Sequence, residues 1–343
     1  MAHGRGWKRG ALGLGLVVMA ACAWAWANRA DLGARYAARQ LTHAAGDDER
    51  AAWAARLVEY GDAARGSVVG LVAAGSPEVR AALVPVVENR FGTQPDGDPA
   101  TTGLAEALLD GFAASDAGGQ EAVLLLLPAL LKRTGPAGAE RCRAATAMGL
   151  KLESPAARLA AVRAAMHPLV KLRTEVVPLL AAPEADVRRA AMFAVGPATD
   201  DDPVIGDEDL FRWLHDPDAG VRRVCQDALA SRGRTDTDIR LGRRLTSPDP
   251  GERLDLLLDL RSDDDVPDAE PWLERLARDA DPGVRAGAAR VAAELAGERR
   301  QVLPSWVTRL AEADPEPTVR RIAAYYRAAS GRVDGAVRPV SGN

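Results

Sequence analysis

The sequence predicts an all-α protein, an α-α superhelix (solenoid) of about eight to nine helical-hairpin repeats. A five-residue phrase recurs along the 343-residue chain at intervals of about 30 to 40 residues, a period typical of helical arrays. Each copy begins as helices begin, with a capping residue and often a proline. Apolar residues make up 47% of the chain but aromatic residues only 4%. The core must therefore be built mainly from Ala, Leu and Val, which suits close packing of helices better than a sheet.

The first element is an amino-terminal export or anchor segment, residues 1–29. Three cations precede the uncharged stretch 11–27, whose 17 residues are close to the shortest length that spans a bilayer. We favour an uncleaved single-pass membrane anchor over 11–27, with the remaining chain outside the cytoplasm. Two alternatives stay open: cleavage at an A-x-A-like site near Ala27, which makes the protein secreted or periplasmic, and lipidation at Cys22.

The second element is the repeat body, residues 30–330. Seven copies of the phrase stand in one register: S-P-E-V-R (76–80), S-P-A-A-R (154–158), E-A-D-V-R (184–188), D-A-G-V-R (218–222), D-P-G-E-R (249–253), D-P-G-V-R (281–285) and E-P-T-V-R (316–320). A degenerate copy, D-A-G-G-Q, occupies 116–120, and a weak copy ends at Arg50. The five positions of the phrase are called its columns. The first-column residue is predicted to cap a helix, and the second-column proline fits the first turn of that helix. Gly233 and Gly297 are predicted to end two of the helices.

Each phrase is preceded by a further apolar-periodic stretch, such as 271–280 or 304–313, which predicts a first helix for every repeat. A single helical hairpin cannot bury its apolar face, so the hairpins are expected to stack. The acidic, Gly/Pro-rich stretches 90–103, 196–209 and 261–271 are predicted to be loops between repeats. The tail 331–343 has no periodicity, and we expect it to be disordered.

The pattern D-x-D-P-x-V-R-x-x-A-A resembles HEAT repeats, especially the short bacterial HEAT-like kind, over roughly residues 46–330. The resemblance implies that the phrase opens the second helix of each repeat and that second helices line a concave face. It also implies a ladder between neighbouring repeats, made by a turn Asp and the helix Arg. The six-residue Asp–Arg spacing occurs at Asp216/Arg222, Asp279/Arg285 and Asp314/Arg320. A weaker ladder is expected where the Asp is missing, at Arg80, Arg158 and Arg188, and where Gln120 replaces the Arg.

The sequence offers no arrangement of residues that predicts catalysis. None of the four His residues has a partner at metal-ligand spacing, and the acidic runs do not match a calcium-binding loop. Phosphate-binding, nucleophile-elbow and zinc-protease motifs are missing. Cys142 and Cys225 lie more than two repeats apart, so both are predicted to be free, mostly buried thiols. We therefore predict no catalytic, metal or cofactor site and no enzyme.

Paired arginines on the second helices are the candidate partner-binding residues. The pairs are Arg188-Arg189, Arg222-Arg223 and Arg320-Arg321. If the first Arg of each pair joins the ladder, the second ones, Arg189, Arg223 and Arg321, reach the concave surface. The net charge of −4 argues against nucleic acid as the partner. We predict a membrane-anchored or exported, non-enzymatic scaffold that binds a partner protein, unidentified by the sequence, through the groove of the solenoid. The resemblance also permits an alternative, a HEAT-like lyase or chromophore-handling subunit.

Overall fold

A computed structural model describes residues 19, 22–198, 203–262, 266, 268–299 and 301–335. Across these ranges the chain forms helices and turns and contains no β-strand. It divides into an amino-terminal unit that ends at Ala194 and a carboxy-terminal unit that begins at Val195. The predicted all-α fold of repeated helical hairpins is confirmed.

The helices pair in chain order into hairpins. The amino-terminal unit contains α1 (Arg29–His43), α2 (Asp47–Glu59), α3 (Arg65–Ala74), α4 (Pro77–Thr93), α5 (Pro99–Gly111), α6 (Ala117–Gly149), α7 (Pro155–Ala165), α8 (Arg173–Val176) and α9 (Ala185–Val195, which ends on the first residue of the next unit). The carboxy-terminal unit contains α10 (Asp207–Trp213), α11 (Ala219–Ser231), α12 (Asp236–Leu245), α13 (Pro250–Ser262), α14 (Glu270–Leu276), α15 (Pro282–Arg299), α16 (Ser305–Ala313) and α17 (Pro317–Gly335).

Helix α6 belongs to two hairpins. It is interrupted at Gly135, which has a φ of 57° and precedes Pro136. Its first half packs on α5 as a second helix, and α7 packs on α6 as the next second helix. With both halves of α6 counted, the described chain forms nine hairpins, five beginning in the amino-terminal unit and four in the carboxy-terminal unit. This agrees with the eight to nine repeats that the period predicts.

The repeated phrase starts second helices, as predicted. The first-column side chain accepts a hydrogen bond from the main-chain N–H three residues later, for example Ser76 from Val79 and Asp218 from Val221. The second-column proline is the first helical residue of α4, α7, α13, α15 and α17. A proline lacks only a hydrogen-bond donor that this position does not use. These local interactions explain why the period is visible in the sequence.

One of the two predicted glycine stops is confirmed and the other is wrong. Gly233 follows α11 with a φ of 80°, in the left-handed region that favours glycine at a helix end. Gly297 lies inside α15, which continues to Arg299. Nothing in the next two residues of the sequence, Glu298 and Arg299, opposes helix formation, so the helix runs on.

A ladder between neighbouring repeats is present, but not where the six-residue spacing implied it. Of Arg222, Arg285 and Arg320, only Arg285 pairs with a carboxylate of the following repeat within the described chain, and the other two bind main-chain carbonyls. The Arg of one repeat donates to a carboxylate of the following repeat. The rungs are Arg80 to Asp116 (2.5 Å), Arg158 to Glu184 (2.7 Å), Arg253 to Asp279 (2.7 Å) and Arg285 to Asp314 (2.8 Å). The weaker ladder expected at Arg80 and Arg158 is therefore not found. The carboxylate comes from the next repeat, so an Asp missing from an Arg's own turn does not prevent the rung.

The ladder Arg also binds the turn of its own repeat through main-chain carbonyls. Arg188 Nη1 lies 2.9 Å from the carbonyl oxygen of Ala182, and Arg222 Nη1 lies 2.7 Å from that of Asp216. A main-chain acceptor is available whatever the side chain, so this bond survives where Ala182 replaces the turn Asp. The Gln120 amide keeps a single bond of this kind, at 3.4 Å to the carbonyl of Phe112.

Two of the predicted loops are present but shorter than predicted, because residues 90–93, 99–103 and 207–209 are helical. Each loop is held by an arginine whose side chain is buried. Arg133 donates to the carbonyls of Phe91, Gln94 and Pro95 in the loop between α4 and α5. Arg232 donates to the carbonyls of Gly196 and Ile205 between α9 and α10. Residues 199–202 of the second loop, and 263–265 and 267 of the third, lie outside the described residues.

The prediction of a single-pass membrane protein is wrong. No helix in the described chain is long and apolar enough to cross a membrane. Of the predicted segment 11–27, only residues 19 and 22–27 are described, and the others lie outside the described residues.

The carboxy terminus also differs from its prediction. Helix α17 extends to Gly335, so residues 331–335 are helical although we expected the tail 331–343 to be disordered. Residues 336–343 lie outside the described residues.

Candidate functional site: the exposed faces of the second helices

The ladder determines which arginine of each predicted pair faces outward. The first members, Arg188, Arg222 and Arg320, bind turn carbonyls. The second members lie on the exposed side of their helices, because consecutive helical residues point about 100° apart. Ladder binding by the first arginine was the condition for the predicted partner-binding role. Within the described chain Arg222 and Arg320 bind only carbonyls of their own turn, so the role of Arg223 and Arg321 stays a prediction.

The three predicted partner-binding arginines have different surroundings. Arg189 forms an ion pair with Asp186 on the same helix, at 3.1 Å. Arg223 is exposed and forms no hydrogen bond or ion pair within the described chain. Arg321 is exposed and makes one long contact, 3.5 Å to the Thr318 hydroxyl. Arg189 lies in the amino-terminal unit and the other two in the carboxy-terminal unit.

Arg321 lies at a recess between α15 and α17. The recess has a volume of about 620 Å³, and its lining includes Gly287, Arg290, Arg321 and Tyr325. The Tyr325 side chain is 66% exposed, and its ring packs edge-on against that of Tyr326 with centroids 5.2 Å apart. Arg290 is held by Glu294 at 2.8 Å. The guanidinium of Arg321 is therefore the less engaged of the two cations in the recess.

Exposed leucines of α13 continue this surface. Leu254 is 40% exposed and Leu258, one turn further along the helix, is 62% exposed. Gly287 of α15 faces α13: a methyl group placed on it would come within 2.5 Å of Leu257 and 3.8 Å of Leu254. An apolar strip thus crosses three successive second helices. We call Leu254, Leu258, Gly287, Arg321 and Tyr325 the docking face.

A second hollow of the carboxy-terminal unit is strongly charged. It has a volume of about 900 Å³ and lies between α11, α12 and α13, with Asp227, Arg243 and Asp255 in its lining. His215 is also in the lining, and its Nε2 lies 2.8 Å from the carbonyl oxygen of Arg243. The Ser247 hydroxyl accepts a hydrogen bond from the Asp249 main-chain N–H. These side chains are engaged by the backbone, and we assign no chemistry to them.

Metal-binding and thiol groups complete the inventory of chemically active residues. Among the described residues, no group of three or more His, Cys, Asp or Glu side chains is placed to hold a metal ion. Cys142 and Cys225 are free and buried, as predicted. Burial raises the pKa of the Cys142 thiol to about 11 and that of the Cys225 thiol to about 12. Such thiols are poor nucleophiles at neutral pH, since the thiolate is the reactive form.

Sequence reasoning located Arg321 but missed its neighbours on the docking face. Leu254 and Leu258 lie in the run R-L-D-L-L-L-D-L, whose leucines follow no single helical stripe. An exposed leucine cannot be recognised there until the packing of α13 is known. Leucines on more than one side of a helix are the available sequence signal for a second, unburied apolar face.

Comparison with known proteins adds no assignment. No protein-family model matches the chain, and no curated protein sequence matches it significantly.

Proposed function

We propose that the protein is a non-enzymatic scaffold of HEAT-like repeats that binds a partner protein through the docking face. The observation that supports this most is the exposure of Leu254 and Leu258 on α13 and of Tyr325 at the recess, with Gly287 close to Leu254 and in the lining of the recess. Soluble proteins rarely leave large contiguous apolar surfaces exposed unless they bind something there.

The composition of the docking face suits a protein partner. Tyrosine and arginine are enriched among the residues that dominate binding energy at protein interfaces. Tyr325 presents a large ring at low cost in conformational entropy, because its side chain has few rotatable bonds. Arg321 is available for a carboxylate of the partner, since its one intramolecular contact is 3.5 Å long. The chromophore-handling alternative remains a prediction from the resemblance.

The proposal is tested by affinity capture with the full chain as bait, from an extract of the cells that produce it. Three baits are compared: the wild type, a docking-face variant with Leu258→Ser and Tyr325→Ser, and a matched control with Leu169→Ser and Arg278→Glu. Leu169 is 49% exposed, and the Arg278 side chain is 73% exposed, and neither belongs to the docking face. We expect one protein to be captured by the wild type and the control, and lost with the docking-face variant.

Charge reversals separate the contributions of the predicted arginines. Arg321→Glu alone is expected to abolish capture, whereas Arg189→Glu with Arg223→Glu tests whether those two arginines also contact the partner. Capture that survives both the docking-face variant and Arg321→Glu would show that the partner binds elsewhere. If the wild type captures no protein at all, the scaffold proposal is wrong. Circular dichroism of every bait confirms that its helices are intact.

A further inference from the structure

The amino-terminal unit contains a groove across three successive second helices, α2, α4 and α6. One hollow of about 600 Å³ lies between α2 and α4, and another of about 460 Å³ lies between α4 and α6. Pro77 and Ala81 line both hollows, so the two adjoin along α4. We call this surface the acidic groove.

The lining of the acidic groove is apolar between its charges. Ala51, Val84, Ala122 and Leu125 are among its lining residues. Leu125 is 45% exposed although it lies on a helix whose other leucines are buried. The groove therefore presents apolar surface that the core of the amino-terminal unit does not cover, and an apolar side chain of a partner fits against it.

Each of the three helices contributes a carboxylate to the groove, and α2 contributes a second, because Asp47 also lines it. Asp48 belongs to α2, Glu78 to α4 and Glu121 to α6. Asp48 and Glu121 form no hydrogen bond or ion pair within the described chain. Glu121 is half-buried and lies beyond the first turn of α6, so helix capping does not account for it. Glu78 is fully exposed, and hydrogen bonds from the Ser76 hydroxyl and the main chain lower the pKa of its carboxyl.

The arginines near the groove are already occupied. Arg80 donates to both carboxylate oxygens of Asp116 at 2.5 Å and to the carbonyl of Val72 at 2.9 Å. Arg50 forms an ion pair with Asp47 at 2.7 Å. The ladder thus neutralises the one cation that lines the groove, and the uncompensated charge of the groove is negative.

The spacing of the helices indicates how a partner would lie in the groove. Neighbouring packed helices are about 8–10 Å apart. An extended polyproline-II segment advances about 3.1 Å per residue with three residues per turn, which is about 9 Å per turn. At this spacing, a segment that crosses α2, α4 and α6 presents every third side chain to a successive helix, and each of these helices carries a carboxylate in the lining.

We propose that the acidic groove binds an extended segment of a partner protein that carries lysine or arginine at every third position, with apolar residues between them. The cations pair with Asp48, Glu78 and Glu121, and the apolar residues cover Val84 and Leu125. This site lies in the amino-terminal unit and does not depend on the docking face, so either proposal can fail without the other.

The test is fluorescence anisotropy of a labelled synthetic peptide titrated with the full chain. The peptide has about ten residues, long enough for three turns of polyproline II, with lysine at every third position and leucine and alanine elsewhere. A second peptide has the same composition with its lysines together at one end, and a third has glutamate in place of lysine. We expect the first peptide to bind most tightly and the glutamate peptide not to bind.

Matched variants locate the binding surface. The groove variant is Asp48→Asn with Glu78→Gln and Glu121→Gln. The control removes three exposed carboxylates of the same unit outside the groove, by Glu106→Gln, Glu140→Gln and Glu153→Gln. The groove variant should weaken binding by roughly tenfold or more, since each exposed ion pair contributes about 0.5 kcal/mol and tenfold corresponds to about 1.4 kcal/mol. The control should stay within about twofold of the wild type, and Leu125→Ser should also weaken binding.

Several results would overturn the proposal. Equal binding of the spaced and clustered peptides would indicate general charge attraction and not a register with the helices. Equal losses in the groove and control variants would place binding outside the groove. A wild-type chain that does not bind the spaced peptide at low salt would exclude a basic segment as the occupant, because screening is weakest there. If circular dichroism shows that the spaced peptide becomes helical on binding, the occupant of the groove is an amphipathic helix and not an extended segment.

Discussion

At the scale of single residues, burial determines which groups can react. Cys142 and Cys225 lie in the core, and the Cys225 thiol donates to the carbonyl of Leu210 at 3.1 Å. Cys22 is exposed. The sequence predicted that these two thiols are free, because they lie more than two repeats apart, which is too far for a disulfide. The two arginines that hold the loops, Arg133 and Arg232, were not predicted, because neither belongs to the repeated phrase and their acceptors are main-chain carbonyls.

The burial of the two thiols predicts their reactivity. In the native protein at pH 8, a disulfide reagent should modify Cys22 rapidly and leave Cys142 and Cys225 unmodified, since burial holds their pKa at about 11 and about 12. In denaturant all three cysteines should react. The Cys22→Ser variant serves as the control and should show no rapid reaction when native. Rapid modification of two or more thiols in the folded protein would contradict the packing described for α6 and α11.

At the scale of elements, stability depends on the ladder as well as on apolar burial. The rung between Arg285 and Asp314 is the most buried, with side chains 10% and 2% exposed. Its Asp carboxylate receives two guanidinium hydrogen bonds, at 2.8 and 2.9 Å. The Asp–Arg spacing in the sequence predicted that these residue types matter. The spacing did not identify the carboxylate that each Arg binds, because that carboxylate lies 26 to 36 residues away and becomes its neighbour only through packing.

Removing the Asp314 carboxylate should destabilise the protein strongly. Asp314→Asn leaves the Arg285 guanidinium buried without its counter-charge, which costs on the order of 3 kcal/mol in the free energy of unfolding. Asp31→Asn removes an exposed carboxylate paired with Arg35, whose side chains are 44% and 72% exposed. It should change the free energy of unfolding by about 0.5 kcal/mol or less. Urea denaturation of both variants measures the difference, and equal effects would mean that the rung does not stabilise the stack.

The same rung predicts how stability depends on pH. Hydrogen bonds from Arg285 hold the pKa of the Asp314 carboxyl below its usual value, so the folded state favours the ionised form. That stabilisation is complete above the unfolded pKa of about 4 and is lost as pH falls through the lower folded pKa. The stability difference between wild type and Asp314→Asn should therefore be constant between about pH 5 and 7 and narrow below about pH 4. A difference that grows on acidification would contradict the assigned ionisation.

At the scale of the whole molecule, the chain offers two exposed surfaces of different character. The docking face of the carboxy-terminal unit combines leucine and tyrosine with Arg321, whereas the acidic groove of the amino-terminal unit combines Leu125 with carboxylates. The period of the phrase made the stacked hairpins predictable, because each column performs a local task at a helix start. The two surfaces were less predictable, because they consist of residues such as Leu258 and Leu125 that the same helical pattern would equally place in a core.

The most direct test of the central claim is hydrogen–deuterium exchange of the full chain with and without the captured partner. Binding at the docking face should slow exchange in peptides from α13, α15 and α17, while peptides from the first helices α14 and α16 exchange at unchanged rates. Slower exchange confined to the first helices, or absent from all three second helices, would contradict the claim that the partner binds the second-helix face of the carboxy-terminal unit.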